Sequence, residues 1–294
     1  MIADTTVRSR MLNGVVYVVL VLCALVCILP LWYTLCVSLS QKAAATAGLV
    51  SLWPVGFNLD AYRQIMEDAK FFKSFWTSIQ RVVLGSALNY VIIALMAYPL
   101  SKSAKDFKPR NVFMWVLVFA MLFNGGLVPW YQTVKSYGLI NNIWALVLGN
   151  SVPMFSVILV LNFFRNLPKE LEEAALVDGA GPWYMLLKLY IPLSTPVLAT
   201  VTLFSVVYHW NEFFNGLVLM SSADHYPLQT YIQQMVVNLN VGLMTEDQYK
   251  RLNELSNQTL NAAKIFIAMI PVLVIYPFLQ RYFITGITLG AVKE

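Results

Sequence analysis

Six long apolar runs constrain the fold of this chain more than any other feature of its sequence. A helix rises 1.5 Å per residue, so roughly 20 apolar residues are needed to cross about 30 Å of hydrocarbon. Within hydrocarbon the backbone must satisfy its own hydrogen bonds, and a helix does so within one segment. The runs cover approximately residues 14–39, 75–100, 112–128, 143–164, 194–220 and 263–284. We therefore predict an all-α integral membrane protein with six transmembrane helices.

The composition agrees with a chain that lies in a bilayer. Hydrophobic residues make up 59% of the 294 residues and charged residues 12%, which is about half the charged share of a soluble domain. The formal charge of +5 comes from basic residues dispersed beside the apolar runs, a pattern that indicates membrane topology and no nucleic-acid partner. We expect one multi-pass membrane domain over residues 1–294, with the lipid bilayer as its surroundings.

The first apolar run is predicted to be a retained span and not a cleaved signal peptide. It is about 25 residues long, whereas a secretory signal has an apolar stretch of about 7 to 15 residues. Prolines 153, 271 and 277 lie within the fourth and sixth runs. Because proline removes a backbone donor and clashes with the preceding turn, we expect these helices to be kinked there.

Membrane orientation follows from the short loop between the second and third runs, residues 101–111. This loop carries four basic residues and one acidic residue, and positive residues favour the cytoplasmic side. Counting from it, both termini and the loop 165–190 are predicted to be cytoplasmic. The stretches predicted to lie outside are 40–74, 129–142 and 221–262.

The cytoplasmic loop 165–192 has the local signals of two short helices. Pro168 suits a first helical turn, the acids that follow favour the positive end of a helix, and Gly179 suits the left-handed residue that ends one. A helix of about ten residues is expected between them. A second short amphipathic helix is expected at 183–190, leading to Pro192 and the fifth run.

The first of these helices has a face suited to contact with another protein. Leu171, Ala174, Ala175 and Asp178 are spaced to share one side of it. The alanines allow a second backbone to approach closely, and Glu173 and Asp178 can accept hydrogen bonds or ion pairs. The alternative interpretation is a solvated loop helix with an ordinary pair of alanines.

The spacing around this helix resembles the EAA loop of ATP-binding cassette (ABC) importer permeases. Leu189 and Ile191 stand where the family pattern has isoleucine and leucine, which preserves apolar volume. The residues that carry the resemblance are Glu173, Ala174, Ala175, Gly179, Leu189, Ile191 and Pro192. Three further stretches, 123–150, 209–222 and 286–294, resemble oligosaccharide permeases of the maltose-transporter (MalG-like) class, in particular its LplC-type branch.

The resemblance implies a fold, partners and a location. The fold is that of a type I ABC importer permease, in which six helices form the core and a cytoplasmic coupling helix contacts an ATPase. The implied partners are a second, different permease, an ATPase dimer on the cytoplasmic side, and an extracellular or periplasmic solute-binding protein that delivers a carbohydrate. The implied location is the bacterial cell membrane. The residues implied to couple to the ATPase are Leu171, Glu173, Ala174, Ala175, Asp178, Gly179 and Pro192.

No enzyme site is expected in this chain. A P-loop needs a Gly-Lys step followed by Ser or Thr to cradle phosphates, and the sequence has no Gly-Lys dipeptide. The two histidines, His209 and His225, belong to no metalloprotease motif, and the chain has no nucleophile elbow. We expect no catalytic residue, bound cofactor or metal here, with ATP and Mg²⁺ held by the partner ATPase.

The translocation path is expected to use polar residues that interrupt the apolar runs, because polar groups facing lipid are costly. Most of them cluster in the fifth run. The candidates are Tyr208, Trp210, Asn211, Glu212, Asn215 and, in the second run, Asn89. The equally weighted alternative is that they hold helices together against the partner permease. Arg81 is predicted to extend to the membrane boundary rather than to bind substrate.

Two outer features and three rival functions remain open. Gly125, Gly126 and Pro129 mark a break that either shapes a gate or ends a helix, and the outer loop 221–262 either docks a solute-binding protein or is solvated.

The rivals are a secondary transporter, a membrane scaffold or sensor, and an ABC importer of a non-sugar solute. Against a secondary transporter, the sequence shows no paired broken helices and one strong intramembrane carboxylate, Glu212. The sugar and its length are not encoded in any recognisable pattern.

Overall fold

The described part of the chain is helical throughout. The computed structural model describes residues 7–149, 151–237 and 258–291, and every regular element in these ranges is a helix. The helices are α1 (Val7–Ser38), α2 (Lys42–Thr46), α3 (Asp60–Glu67), α4 (Ala69–Ser101), α5 (Arg110–Leu122), α6 (Leu127–Ser136), α7 (Ile143–Leu148), α8 (Met154–Arg165), α9 (Lys169–Val177), α10 (Pro182–Leu193), α11 (Thr195–Asn211), α12 (Phe214–Leu219), a single 3₁₀ turn at Ala223–His225, α13 (Leu228–Val237) and α14 (Gln258–Ala291).

Three apolar runs form single helices that are long enough to cross a membrane. The qualifying segments are Met11–Ser38 in α1, Ala69–Ser101 in α4 and Gln258–Pro277 in α14. The helix α14 continues through both of its prolines, Pro271 and Pro277. These segments confirm helices at the first, second and sixth predicted spans.

The other three runs are interrupted, which corrects the expectation that no paired broken helices are present, and the interruption of the third run falls at the predicted Gly125 and Gly126. The third run forms α5, which ends at Leu122 and not near residue 128, and the chain then bends by 115° into α6. The fourth run is divided between α7 and α8, because Pro153 directly precedes α8 and does not lie inside a helix. With each bent pair counted as one span, the described residues contain up to five candidate spans. The total of six remains a prediction.

The fifth run also contains a break, at Glu212. The helix α11 ends at Asn211, Glu212 is extended with φ −74° and ψ 119°, and α12 begins at Phe214. At its other end α11 meets α10 at an angle of 83°. This run therefore does not form one straight helix over 194–220, and its polar residues lie at or beside an interruption.

The chain divides into two compact units. The described residues of the first are 7–69, 234–237 and 258–270, and those of the second are 70–149, 151–233 and 271–291. A single membrane domain over residues 1–294 remains a prediction. The predicted outer loop 221–262 lies outside the described residues at 238–257, as does the end of the predicted C-terminal motif at 292–294.

The first unit is held by hydrogen bonds and one buried ion pair. The indole of Trp32 donates to the carbonyl of Leu52 at 2.8 Å. The Nζ of Lys264 lies 2.6 Å from Oδ2 of Asp68, the residue that joins α3 to α4. The Lys264 side chain is 3% exposed, and an ammonium at that depth needs such a partner because a buried charge is costly when it is unpaired.

The second unit is built on an apolar cluster shared by α4, α5, α8, α10 and α11. Its fully buried members include Ala97, Val157, Leu161 and Val201. Its aromatic members pack edge to face, with the Tyr190 ring 5.0 Å from that of Tyr98. This cluster lies beside α9 and α10 and so fixes the position of the loop singled out in the sequence.

Gly85 allows α4 and α11 to approach closely. A Cβ built on Gly85 would lie 2.4 Å from Nε2 of His209, and the His209 side chain is buried between the two helices. Contacts under 3.0 Å cannot be accommodated without movement of the imidazole or of the helix. The sequence therefore needs glycine at this position for steric reasons.

We predict that Gly85→Ala lowers the free energy of unfolding by about 1 to 3 kcal/mol, because the added methyl group overpacks the contact with His209. The measurement is the thermal unfolding midpoint of the purified protein in detergent. The matched control is Gly14→Ala in α1, where a Cβ meets nothing within 4 Å. A Gly85→Ala midpoint equal to that of the control would show that the close approach does not limit stability.

Candidate coupling site and membrane polar cluster

The helix α9 has the ends that its sequence predicts. It covers nine residues, Lys169–Val177, directly after Pro168. Gly179 has φ +79°, its amide donates to the carbonyl of Leu176 at 3.0 Å, and the amide of Ala180 donates to the carbonyl of Ala175 at 2.9 Å. These two bonds form a Schellman motif, which satisfies carbonyls that the end of a helix leaves unpaired. Glycine is suited to this site because a side chain is strained at positive φ.

The outer face of α9 is open. No residue of the helix is buried, and Leu171, Glu173, Ala174 and Asp178 are all exposed. Ala175 differs from the predicted face because it is partly buried and packs against the apolar cluster of the second unit. Val177, which was not predicted as part of the face, is 88% exposed.

The helix α10 connects this loop to α11. It begins at Pro182, has π-helical hydrogen bonding over Met185–Tyr190, and ends with a turn that contains Pro192. Met185, Leu186 and Tyr190 are buried, whereas Trp183 is exposed. This arrangement confirms the predicted second amphipathic helix and adds a π-helical stretch, which was not predicted.

A polar contact joins α9, α10 and the end of α4. The Nζ of Lys102 lies 2.5 Å from Oε1 of Glu172 and donates to the hydroxyl of Tyr190 at 2.9 Å. The Tyr190 hydroxyl donates to Oε2 of Glu172 at 2.6 Å. The same ammonium lies 4.6 Å from the ring centre of Tyr98 and 4.5 Å from that of Tyr190, within the range of cation–π attraction. We call Lys102, Glu172 and Tyr190 the latch.

The latch shifts the pKa of both of its acidic groups. Burial alone raises the pKa of Glu172, but the hydrogen bonds from Lys102 and Tyr190, together with the charge of Lys102, outweigh it and hold that pKa below its ordinary value. Burial and the hydrogen bond to Glu172 raise the pKa of the Tyr190 hydroxyl. Glu172 is therefore ionised, and Tyr190 neutral, at physiological pH.

Glu172 was not among the predicted site residues, although a local signal points to it. Residues three and four apart share a side of a helix, so Glu172 lies on the same side as Ala175 and Leu176. Ala175 packs against the apolar cluster. Among the acids of α9, Glu172 is therefore the one directed towards the protein, while Glu173 is directed outward.

In the second unit, the membrane runs contain a buried ion pair at the break after α11. One guanidinium nitrogen of Arg81 pairs with Oε2 of Glu212, and the other donates to the backbone carbonyl of Glu212 at 2.7 Å. Oε1 of Glu212 accepts from the amide of Asn215 at 2.7 Å. The Arg81 side chain is 0% exposed. The prediction that Arg81 extends to the membrane boundary is therefore wrong, because it has a carboxylate partner within the protein.

A second group of polar residues adjoins this pair. Nδ2 of Asn89 donates to Oγ of Ser205 at 2.8 Å and lies 3.4 Å from Nε2 of His209. Three buried atoms, Nε of Arg81, Oδ1 of Asn89 and Nδ1 of His209, have no hydrogen-bond partner in the described part of the chain. They provide unused capacity for binding a water molecule or a hydroxyl group.

The predicted path residues fall into two groups in the structure. Tyr208 and Asn211 are exposed. Trp210, Asn215 and Asn89 are buried, and the Trp210 ring packs edge to face against Phe75 with ring centres 5.7 Å apart. The carboxylate of Glu212 is paired with the guanidinium group of Arg81. The buried residues make contacts within this chain, and the role of the whole set, including contact with a partner permease, remains a prediction.

The chain is similar to known transport proteins along nearly its whole length. A model of the family described as binding-protein-dependent transport system inner membrane component matches residues 81–288. The polygalacturonan/rhamnogalacturonan transport system permease protein YtcP of Bacillus subtilis (strain 168) is 34% identical over 292 residues, covering 97% of this chain and 99% of that protein. Protein LplC of the same organism is 36% identical over 266 residues, covering 90% and 89%.

A solved structure has the same fold. One chain in the crystal structure of a bacterial ABC transporter involved in the import of the acidic polysaccharide alginate aligns with a TM-score of 0.85 and 34% sequence identity. The alignment covers 95% of this chain and 98% of that chain. The similarity therefore extends over nearly the full length of both chains.

We predict that the ion pair of Arg81 and Glu212 behaves as a unit. Arg81→Met or Glu212→Gln alone should lower stability by about 3 to 5 kcal/mol, because each leaves a buried group without its partner. The double variant should lose clearly less than the sum of the two. Thermal unfolding and the yield of folded protein measure both effects.

The matched control for this cycle is the pair of Lys73 and Asp224, 3.3 Å apart with both side chains more than half exposed. Breaking it should cost at most about 1 kcal/mol. Additive losses at Arg81 and Glu212 would contradict the assignment of a coupled pair.

We predict that the latch stabilises the protein. The coupling energy between Lys102 and Glu172 should be about 1 kcal/mol, because the partial exposure of both side chains weakens their attraction. Lys102→Met and Glu172→Gln should each lower the unfolding midpoint, and the double variant should lose less than their sum. Because the folded pKa of Glu172 is below its ordinary 4.5, the contribution is complete above that pH and is lost as pH falls through the folded value. Coupling that does not fall as Glu172 becomes protonated at acidic pH would refute this assignment.

Proposed function

Because the chain belongs to the family of binding-protein-dependent transport system inner membrane components, we propose that it is the permease subunit of an ABC importer that moves an oligosaccharide into the cell. The observation that carries the proposal is the open face of α9 at the position of the family's coupling motif. This helix lies outside the apolar runs and buries none of its residues, yet the Schellman motif and the latch fix its position. Such a helix is suited to contact with a second protein.

The face of α9 fits a protein groove better than solvent. Leu171 and Val177 expose apolar side chains next to the small side chain of Ala174, and Glu173 and Asp178 flank them with carboxylates. Apolar anchors surrounded by polar groups are typical of protein interfaces. The proposed partner is an ATPase dimer on the cytoplasmic side, which binds ATP and Mg²⁺, while this chain binds no cofactor and catalyses no reaction.

Motion of that partner would reach the membrane by two connections. Behind α9 the chain passes through α10 and the bend at Ser194 into α11, and the latch joins Glu172 directly to Lys102 at the end of α4. Closure of the ATPase would then favour an outward-facing state to the extent that contacts with α9 differ between the two states.

The proposed substrate class is a carbohydrate, and acidic oligosaccharides are the first candidates. The relative that is 34% identical over almost the full length transports polygalacturonan/rhamnogalacturonan, and the similar solved structure belongs to an importer of the acidic polysaccharide alginate. In this chain Tyr208 and Asn211 are exposed beside the polar cluster of Arg81, where an aromatic face and an amide suit a sugar.

The remaining partners and the location complete the proposal. A second, different permease would form the other half of the path, and a solute-binding protein outside the cell would deliver the sugar. The family description itself refers to a binding protein. The proposed location is the bacterial cell membrane with both termini in the cytoplasm.

Reconstitution of the complete importer in proteoliposomes tests the function. We predict ATP-dependent uptake of oligogalacturonates when the binding protein is present, and Glu173→Lys should lower uptake about tenfold or more while the complex still assembles. Charge reversal acts at the ATPase contact because Glu173 is exposed and has no structural role within the described residues. The readouts are labelled sugar uptake and sugar-stimulated ATP hydrolysis.

The matched control is Glu67→Lys at the exposed end of α3, which should leave uptake unchanged. Uptake that follows an ion gradient and does not need ATP would contradict the proposal in favour of a secondary transporter. Purification without an ATPase and a second permease would favour a scaffold or sensor. Transport of a peptide but of no sugar would retain the importer and overturn the substrate class.

A further inference from the structure

Two cavities adjoin where α4 ends and α5 begins, within the second unit. The first has a volume of about 380 Å³ and an almost wholly apolar lining that includes Leu95, Met96, Leu117, Ala120 and Met154. The second has a volume of about 1070 Å³ and a lining rich in charged side chains. One cavity suits a hydrocarbon chain and the other a polar group.

The two cavities share part of their walls. Pro99 and Phe107 line both of them, so a single molecule with an apolar tail and a polar head can occupy the pair without leaving the protein surface. The apolar cavity follows α5 from Phe113 to Ala120, a distance of about 10 Å along the helix axis. The charged end lies at the predicted cytoplasmic boundary of the membrane.

The charged cavity contains two arginines that are incompletely neutralised. Nε of Arg110 and Nη2 of Arg165 both donate to the carbonyl of Leu100, each at 3.1 Å. In the described part of the chain neither guanidinium has a carboxylate within 4 Å. Burial lowers the pKa of Arg165, and the positive charge of Arg110 lowers it further. Two like charges at one neutral carbonyl would be stabilised by an anion.

The acids around this cavity are already engaged or directed elsewhere. Its lining includes three acids, of which Glu172 is paired with Lys102 and Asp106 accepts from the hydroxyl of Ser103 at 2.6 Å. The third, Glu173, lies on the exposed face of α9. None of them neutralises Arg110 or Arg165.

From this arrangement we propose that an anionic phospholipid of the cytoplasmic leaflet binds here, with one acyl chain in the apolar cavity and its phosphate between Arg110 and Arg165. Basic pockets between membrane helices on the cytoplasmic side are suited to anionic headgroups. An apolar helix of a partner would fill the first cavity but would leave both guanidinium groups without an anion. The proposal rests on the chain's position in a membrane and not on the sugar that it transports.

Bound lipid would also stabilise the latch. Leu100, which accepts from both arginines, precedes Lys102 by two residues, so a phosphate at this site would fix the end of α4 next to Glu172. Lipid composition would then affect the contact between this chain and its ATPase, because residues of α9 also line the charged cavity.

The test is retention of lipid by the complete purified importer. Native mass spectrometry would follow phosphatidylglycerol and phosphatidylcholine after exchange into detergent with equal amounts of both. We expect selective retention of phosphatidylglycerol, and a loss of about tenfold or more in the double variant Arg110→Gln, Arg165→Gln. The cavity-filling variant Ala120→Trp should also reduce retention, because it removes space for the acyl chain.

The matched control is Lys105→Gln, Lys108→Gln, which removes two charges from the same loop at exposed positions that line neither cavity. It should retain phosphatidylglycerol as the unmodified protein does. An equal loss in this control would overturn the site in favour of general attraction to a basic surface. Normal retention in Ala120→Trp, or no preference between the two lipids, would also overturn it.

A photoreactive phosphatidylglycerol provides a test that needs no variant to fold. Its acyl chain should crosslink to α5 between Phe113 and Ala120 in the unmodified importer. Crosslinking of α5 to a partner permease and not to lipid would show that a protein fills the apolar cavity and would refute the proposal. Because none of these measurements uses sugar uptake, a failure of the lipid site and a failure of the proposed function can be told apart.

Discussion

The guanidinium group of Arg81 makes the interrupted fifth run compatible with a membrane. Where α11 ends at Asn211, the backbone loses helical hydrogen bonds in an apolar segment, and unsatisfied backbone groups are costly there. Arg81 donates to the carbonyl of Glu212 and neutralises its side chain, while that carboxylate accepts a hydrogen bond from the amide of Asn215, the second residue of α12. The break is thereby satisfied within the protein, and the packing of α4 against α11 depends on it.

The latch holds α9 in place at the C-terminal end of α4. The helix α9 has no buried residue, so the hydrophobic effect contributes little to holding it in place. Glu172 compensates through two charge-assisted or short hydrogen bonds, to Lys102 and to Tyr190. The Schellman motif at Gly179 then fixes where the helix ends. The inner side of α9 is joined to the end of α4 and to α10. A helix held in this way can present an open face and still transmit force.

Local features could be predicted from the sequence, whereas long-range pairs could not. Gly179 and Pro168 bound α9 because both act through their own backbone angles, and the apolar runs indicate helices because of their length. The pairing of Arg81 with Glu212 spans 131 residues, and that of Lys102 with Glu172 spans 70, so no periodic pattern relates them. The break at Gly125 and Gly126 was predicted from its glycines, whereas the break at Glu212 was missed because apolar residues continue on both sides of it and hydropathy does not record where a helix bends.

The helix α4 relates the two charged sites to one another. It continues without interruption from Ala69 to Ser101, with Arg81 about 18 Å from its first residue and Lys102 directly after its last, the two roughly 30 Å apart along the axis. Under the proposed function, a displacement of α9 would act on Lys102 through Glu172, and α4 would carry it to the break at Glu212, beside the exposed Tyr208 and Asn211. Such a route requires two discrete arrangements of the elements that it joins, and the break between α11 and α12 is the place where the second unit can supply them. Under the proposed function, the ATPase contact on α9 and the sugar contact on α11 would be separate sites connected by α4, which would allow a shared coupling motif to serve permeases with different substrates.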